Sequence, residues 1–350
     1  MKTEHILIIR FSAMGDVAMT VPVVQALARQ YPHLRITFLS RPFARPFFEG
    51  LAPNVGFMAA DIKNEYNGIR GLNALYKRIA AKNITAVADL HDVLRSSYLR
   101  FRFNLARYRV EHIDKHRTQR QRLVATAHKV MKPLPTAFQN YADVFAKLGY
   151  PVKLDFTSIF SPQGGNIRIL PPEIGTKKAF QEWIGVAPFA AHKQKVYPPE
   201  MLEKMITMLT KEHPSCRVFI FGKGPLEDPI INGIVSRNPQ CLNASAVLNG
   251  ISQELVLMSH LDVMVSMDSA NMHFASLVNT PVVSIWGATH PYAGFMGWGQ
   301  SEHNAVQIDL ACRPCSIFGN KPCLRGDLAC MRNISPEMVY ERVKQVLNKK

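Results

Sequence analysis

The feature that most restricts the fold is a repeated order along the chain: a short apolar run, a loop, then an amphipathic stretch with helical spacing. Such alternation calls for parallel sheets covered by helices. In the first half, residues 6–9, 35–39 and 86–90 read as strands. In the second half, residues 184–187, 217–221, 263–266 and 282–286 do the same. Helical spacing marks 71–81, 140–148, 199–211, 252–258 and 269–277, and Val17, Val21, Val24, Leu27 and Ala28 share one face. Pro22 lies inside that last pattern, so the helix either starts near Val21 or kinks there. Met338, Val339, Val343, Val346 and Leu347 describe a closing helix.

Pro162, Gly164, Gly165, Pro171, Pro172 and Gly175 concentrate in one stretch with little periodicity, which places a boundary there. The expected fold class is therefore α/β, with one domain over 1–165, a second over 178–333, and a terminal helix over 336–350. A length of 350 residues suits two domains, and 47% hydrophobic with 19% charged residues excludes a disordered chain. The first ten residues hold only four consecutive apolar residues before Arg10, too few for a signal peptide. No run approaches the roughly 18 apolar residues of a spanning helix, so a cytoplasmic location is expected. Lys and Arg exceed Asp and Glu by 42 to 26, a net charge of +16, which points to an anionic partner or to a generally solubilising surface.

In open parallel sheets ligands sit beyond the carboxyl ends of the strands, so the residues just after strands are where chemistry belongs. Arg10-Phe11-Ser12-Ala13-Met14-Gly15-Asp16 follows the first strand. Asp16 either caps the next helix or places a carboxylate at a ligand. The loop of residues 190–198 carries Lys193 and Lys195, which either neutralise phosphates or are simply solvated. Gly222-Lys223-Gly224 leads to Glu227, either a ribose ligand or a first-turn acid favoured by the helix dipole. Ser266-Met267-Asp268-Ser269 opens a helix whose free N–H groups form an anion site, with His273 one turn in. Gly287-Ala288-Thr289 follows the last strong strand and reads as a wall of the same pocket.

Taken together these loops resemble glycosyltransferase family nine, the heptosyltransferases of lipopolysaccharide core assembly. Ser12-Ala13-Met14-Gly15-Asp16 with Pro22 is similar to the family's first signature. Lys195-Val196-Tyr197-Pro198 is similar to its second, and Asp268 through Ala275 with Pro281 and Gly287 to its third. Ala13 stands where a hydroxyl residue is frequent, and Ala270 where glycine is usual. The resemblance implies a GT-B architecture: two Rossmann-like domains facing across a cleft, with the terminal helix crossing back to the first. It implies an inverting transferase using a nucleotide-sugar donor such as ADP-heptose and an anionic glycolipid acceptor, with peripheral contact at the inner-membrane surface. Asp16 would be the general base. Lys195, Glu227, Asp268, Ser269, His273 and Gly287 would serve the donor, with Asp268 either capping or touching a sugar hydroxyl. Arg10, Ser12, Arg95, Arg100 and Arg102 would serve the acceptor. No cofactor is implied for catalysis. The sequence has no Asp-x-Asp element, so fixed charge from Lys195 and the helix start would replace a metal at the diphosphate. The competing readings are a GT-B nucleotide-sugar isomerase or hydrolase, and a non-catalytic module binding anionic surfaces.

Between Arg95 and Arg122 nine cations face only Glu111 and Asp114, interleaved with Tyr98, Phe101, Phe103 and Tyr108. This stretch reads as an acceptor-steering surface or as a solvated helical face with a loop. No recognisable nucleic-acid-binding element accompanies it, so nucleic acid is not the expected partner. Cys216 and Cys241 read as buried strand-associated thiols. Cys312-x2-Cys315-x7-Cys323-x6-Cys330 has the ligand number of a tetrahedral zinc site, but its later spacings match no common zinc pattern. Reduced or occasionally oxidised thiols are preferred there over structural zinc.

Overall fold

A computed structural model describes residues 4–349. The chain forms two compact units: 1–115 with 136–156, and 116–135 with 157–350. The division thus falls near 156, earlier than the Pro/Gly-rich stretch, and the segment 116–135 leaves the first half of the sequence to pack with the second unit.

The first unit is built on a five-stranded parallel sheet. Its strands are β1 (His5–Ile9), β2 (Arg35–Ser40), β3 (Val55–Ala59), β4 (Ala86–Asp89) and β5 (Arg109–His112), in the order β3-β2-β1-β4-β5. β1 is central and buried throughout, which is why it reads as an unbroken apolar run. The Val21–Gln30 helix carries Pro22 in its first turn, where a missing N–H costs nothing, so the helix starts there rather than kinking. Thr136 caps the Ala137–Lys147 helix by accepting from the Gln139 amide. Leu7, Ile9, Leu39, Val87, Leu99 and Phe103 share one core.

The second unit holds a six-stranded parallel sheet. Its strands are β6 (Trp183–Ala187), β7 (Arg217–Ile220), β8 (Cys241–Asn243), β9 (Val263–Met267), β10 (Val282–Ile285) and β11 (Ala305–Val306), in the order β11-β10-β9-β6-β7-β8. Cys216 and Cys241 are buried beside β7 and in β8, as expected. Gly185 in β6 is required by packing: a Cβ there would stand 2.4 Å from Met264 Sδ and 2.5 Å from Leu261 Cδ1.

The Pro336–Leu347 helix is capped by Ser335. Its buried Val339, Tyr340, Val343 and Val346 join the core of the second unit beside Leu202, Met205, Ile206 and Leu209. This corrects the expectation that the terminal helix packs on the first domain: its apolar stripe is taken up by the Pro199–Glu212 helix of its own unit. Tyr197 ties the two ends of this unit by donating its buried hydroxyl to the Ile334 carbonyl at 2.8 Å. Leu202→Ala should lower unfolding free energy by about 2–5 kcal/mol in denaturant titration. A loss well under 1 kcal/mol would show that this helix pair does not carry the core.

Candidate functional site

In the first unit the chemistry gathers at the carboxyl ends of β1 and β4. Arg10, the first residue after β1, is buried. Its guanidinium donates to the Leu90 carbonyl, lies 5.5 Å from the centre of the Tyr141 ring, and meets Asp16 Oδ2 at 2.8 Å. The same Oδ2 accepts the Ala13 N–H at 3.2 Å. The capping reading of Asp16 is met by its bond from the Ala13 amide, and its side chain is 26% exposed. Arg10 is committed to this carboxylate.

His91, which the sequence reading passed over, holds the same loop. Its Nδ1 accepts the Phe11 N–H at 3.4 Å, which leaves Nε2–H to donate toward Ser12 Oγ at 3.3 Å. Burial, then the charges of Arg10 and Lys115, push its pKa down to about 3. A single His after a strand carries no sequence signal of this role, because its partners lie about eighty residues earlier in the chain.

Asp89 at the end of β4 is fully buried. Its Oδ1 accepts the His91 and Asp92 amides at 2.9 Å each, and its Oδ2 meets Arg100 at 3.0 Å. Arg100 also pairs with Asp92 at 3.2 Å. Arg102 donates to the Asn73 side-chain carbonyl and sits over Tyr76 at 4.5 Å. Arg95 lies exposed on the Leu94–Leu105 helix. β5 runs through the stretch, Arg100 and Arg102 are engaged internally, and Arg120 packs over Phe295 and Phe318 in the second unit.

In the second unit the loops after β6, β9 and β10 converge on Asp268. Lys195 Nζ stands 3.4 Å from Asp268 Oδ2, and Thr289 Oγ1 donates to that oxygen at 2.8 Å. The Asp268 amide reaches the Ile285 carbonyl at 3.3 Å. Asp268 is buried, so its carboxylate works as a clamp that fixes Lys195. Ser269 heads the Ala270–Leu277 helix, with its Oγ 3.1 Å from Ser266 Oγ. His273 is buried one turn into the helix. Gly287 lies under Met331, where a Cβ would be 2.6 Å from Met331 Cγ, and its carbonyl accepts from buried Arg313.

Glu227 stands just before the Asp228–Arg237 helix, beside Gly222 and without a side-chain capping bond, and burial raises its pKa. Glu254, read only as part of a helix, adds a second carboxyl here. Ser245 Oγ donates to Glu254 Oε1 at 3.2 Å and accepts the Gly222 N–H at 3.1 Å. Burial raises the Glu254 pKa. Chemically, this unit presents a fixed ammonium and a helix N-terminus for an anion, with hydrogen-bonding acids one loop away.

Two Rossmann-like units, each built on a parallel sheet, make up the GT-B fold. The family model for glycosyltransferase family 9 (heptosyltransferase) matches residues 72–321, and the chain belongs to that family. It is similar to lipooligosaccharide heptosyltransferase 2 of Campylobacter jejuni, 27% identical over 133 residues, covering 37% of this chain and 40% of that relative's length. In structure it is similar to a family 9 glycosyltransferase of Veillonella parvula, with a TM-score of 0.74, 18% identity, and coverage of 100% and 99% of the two chains. It is also similar to E. coli heptosyltransferase WaaC with ADP, with a TM-score of 0.67, 17% identity, and coverage of 98% and 99%. No helix among the described residues is long and apolar enough to cross a membrane.

The His91 arrangement predicts a pH effect. Its folded pKa lies below the ordinary 6.5, so the stability it contributes is complete above about 6.5 and is lost as pH falls toward 3. Between pH 7 and pH 5 the native protein should lose about 2 kcal/mol from this residue. His91→Asn should flatten the thermal-melt profile by that amount over the same interval. An unchanged pH slope in the variant would show that His91 is not held neutral.

Proposed function

We propose that this chain is an inverting heptosyltransferase that moves heptose from ADP-heptose to a lipopolysaccharide core or related glycolipid acceptor. The reading draws on family membership, and on the name and ADP complex of the relatives above. The observation that carries it is the Asp16 carboxylate, clamped by Arg10 and the Ala13 amide yet still open to solvent.

In this reading the first unit serves the acceptor and the second the donor. Asp16 takes the proton of the acceptor hydroxyl as its oxygen attacks the anomeric carbon, and the bond from that carbon to the diphosphate breaks. A carboxylate is a weak base, which suffices when the sugar is already oxocarbenium-like and proton transfer comes late. Arg10 holds and orients the carboxylate, and His91 fixes the backbone that carries it. Lys195, aimed by Asp268 and Thr289, meets the charge that develops on the diphosphate, with the free amides at Ser269 beside it. No metal takes part at the diphosphate, in keeping with the lack of an Asp-x-Asp element. Glu227 and Glu254 receive hydroxyl or base donors of the nucleoside. A glycolipid acceptor brings the chain to the cytoplasmic face of a membrane, where exposed cations such as Arg95 meet anionic headgroups.

Two variants test the roles separately. Asp16→Asn preserves shape and should lower the transfer rate by about 10²–10⁴-fold while ADP binding changes less than threefold. Transfer at the native rate would remove Asp16 as base. Lys195→Ala should weaken ADP binding by about tenfold or more in calorimetry, and unchanged affinity would remove the lysine from the diphosphate. Conversion of ADP-heptose without any acceptor, at a rate matching the acceptor reaction, would favour an isomerase or hydrolase instead.

A further inference from the structure

The Gly68–Ala80 and Leu94–Leu105 helices pack on each other over the core of the first unit. Leu75 and Ile79 of one helix and Leu99 and Phe103 of the other are buried in that core. Across the seam Tyr98 Oη donates to Asn73 Oδ1 at 3.0 Å, and Arg102 sits over Tyr76. These contacts fix which side of each helix faces outward.

A helix on a globular surface ordinarily turns its polar residues to water. The Leu94–Leu105 helix instead exposes Leu94 at 87%, Phe101 at 59% and Leu105 at 70%. At 3.6 residues per turn these three fall within about 40° of one another, with half-buried Tyr98 beside them. Ile69, on the neighbouring helix, is exposed as well. Single exposed apolar residues are ordinary, but an aligned row marks a contact surface.

Charge names what the row meets. Residues 68–80 and 94–107 hold seven Lys and Arg and no Asp or Glu. Arg100 is turned inward to Asp89 and Asp92, whereas Arg70, Lys77, Arg95 and Arg107 are exposed. Apolar side chains in a row among cations suit a bilayer surface, where acyl chains take the row and anionic headgroups meet the charges. A second copy of this face would set cation against cation. A nucleic acid would satisfy the cations but leave the aliphatic row facing phosphates.

We propose that this helix pair seats the first unit on a membrane containing anionic lipid, with the Leu94–Leu105 helix lying in the plane of the interface. Leu94, Phe101 and Leu105 enter the boundary between headgroups and acyl chains, and Arg70, Lys77, Arg95 and Arg107 engage the headgroups. The proposal rests on the glycolipid acceptor named above and assigns the surface that reaches it. Leu94 follows His91 by three residues, and His91 holds the Asp16 loop through Phe11 and Ser12. Docking the helix therefore keeps that loop near the lipid surface.

The test is flotation of the full chain with vesicles of phosphatidylethanolamine containing about 30% phosphatidylglycerol, without donor or acceptor. The native protein should float with these vesicles and not with neutral phosphatidylcholine. The triple variant Leu94→Gln, Phe101→Gln and Leu105→Gln keeps good helix formers and should bind at least about tenfold more weakly. Arg70→Gln, Lys77→Gln and Arg107→Gln together should do the same. Both variants should keep the native circular dichroism and ADP affinity. If the apolar triple variant does not fold, Phe101→Gln and the charge variant decide. No flotation of native protein with anionic vesicles would overturn the proposal, as would native-strength binding by either triple variant. A dimer that the apolar variant dissociates, with no vesicle binding, would give the face to a second copy instead. The vesicles hold no acceptor, so failure here leaves the transfer reaction standing, and loss of transfer with intact flotation bears on that reaction alone.

Discussion

Burying a positive charge is unfavourable unless an anion meets it, and this strongly basic chain is organised around that constraint. Arg10 reaches Asp16, Arg100 reaches Asp89 and Asp92, Lys177 reaches Asp262, and Lys195 reaches Asp268. Each pair joins residues far apart in sequence or closes a post-strand loop on itself. The carboxylates are few, so each fixes a particular cation in a particular direction. Arg313 differs in that its hydrogen-bond acceptors are all neutral, while the Asp309 carboxylate acts on it only through space.

The pairing also orders the chemistry. An Asp268 carboxylate standing alone would repel any anion at this loop cluster. Holding Lys195 on one side and Thr289 on the other, it presents the ammonium instead of its own charge. Asp16 is arranged the other way. Arg10 supplies the buried half of the pair, and the carboxylate is the exposed half. A neutral His91 beneath the loop adds direction without adding charge, since a protonated ring there would lose its acceptor for the Phe11 amide.

Much of this was legible in the sequence. The central strands read correctly because burial on both faces leaves an unbroken apolar run, as in β1 and β9. The outer strands did not: β5 is Arg-Val-Glu-His, half-exposed and polar, and β8 is three residues long. The loops carrying Asp16, Lys195 and Asp268 were found because each directly follows a recognisable strand. His91, Asp89 and Glu254 escaped because nothing local distinguishes a satisfied buried acid or imidazole from a solvated one. The basic stretch was only partly legible for a related reason: composition counts charges, whereas only packing tells which are already paired.

The sequence by itself determined the class of fold, the positions of the loops that carry polar groups, and the family. These rest on periodicity and short motifs, which are local properties of the chain. Tertiary structure decided the rest. It sent the segment 116–135 and the terminal helix to the second unit, turned Arg100 into a structural cation, and made Asp268 a clamp. It also set four cysteines around one cavity. Each of those outcomes depends on which distant group a side chain meets once water is removed, and that is fixed only when the sheets have formed.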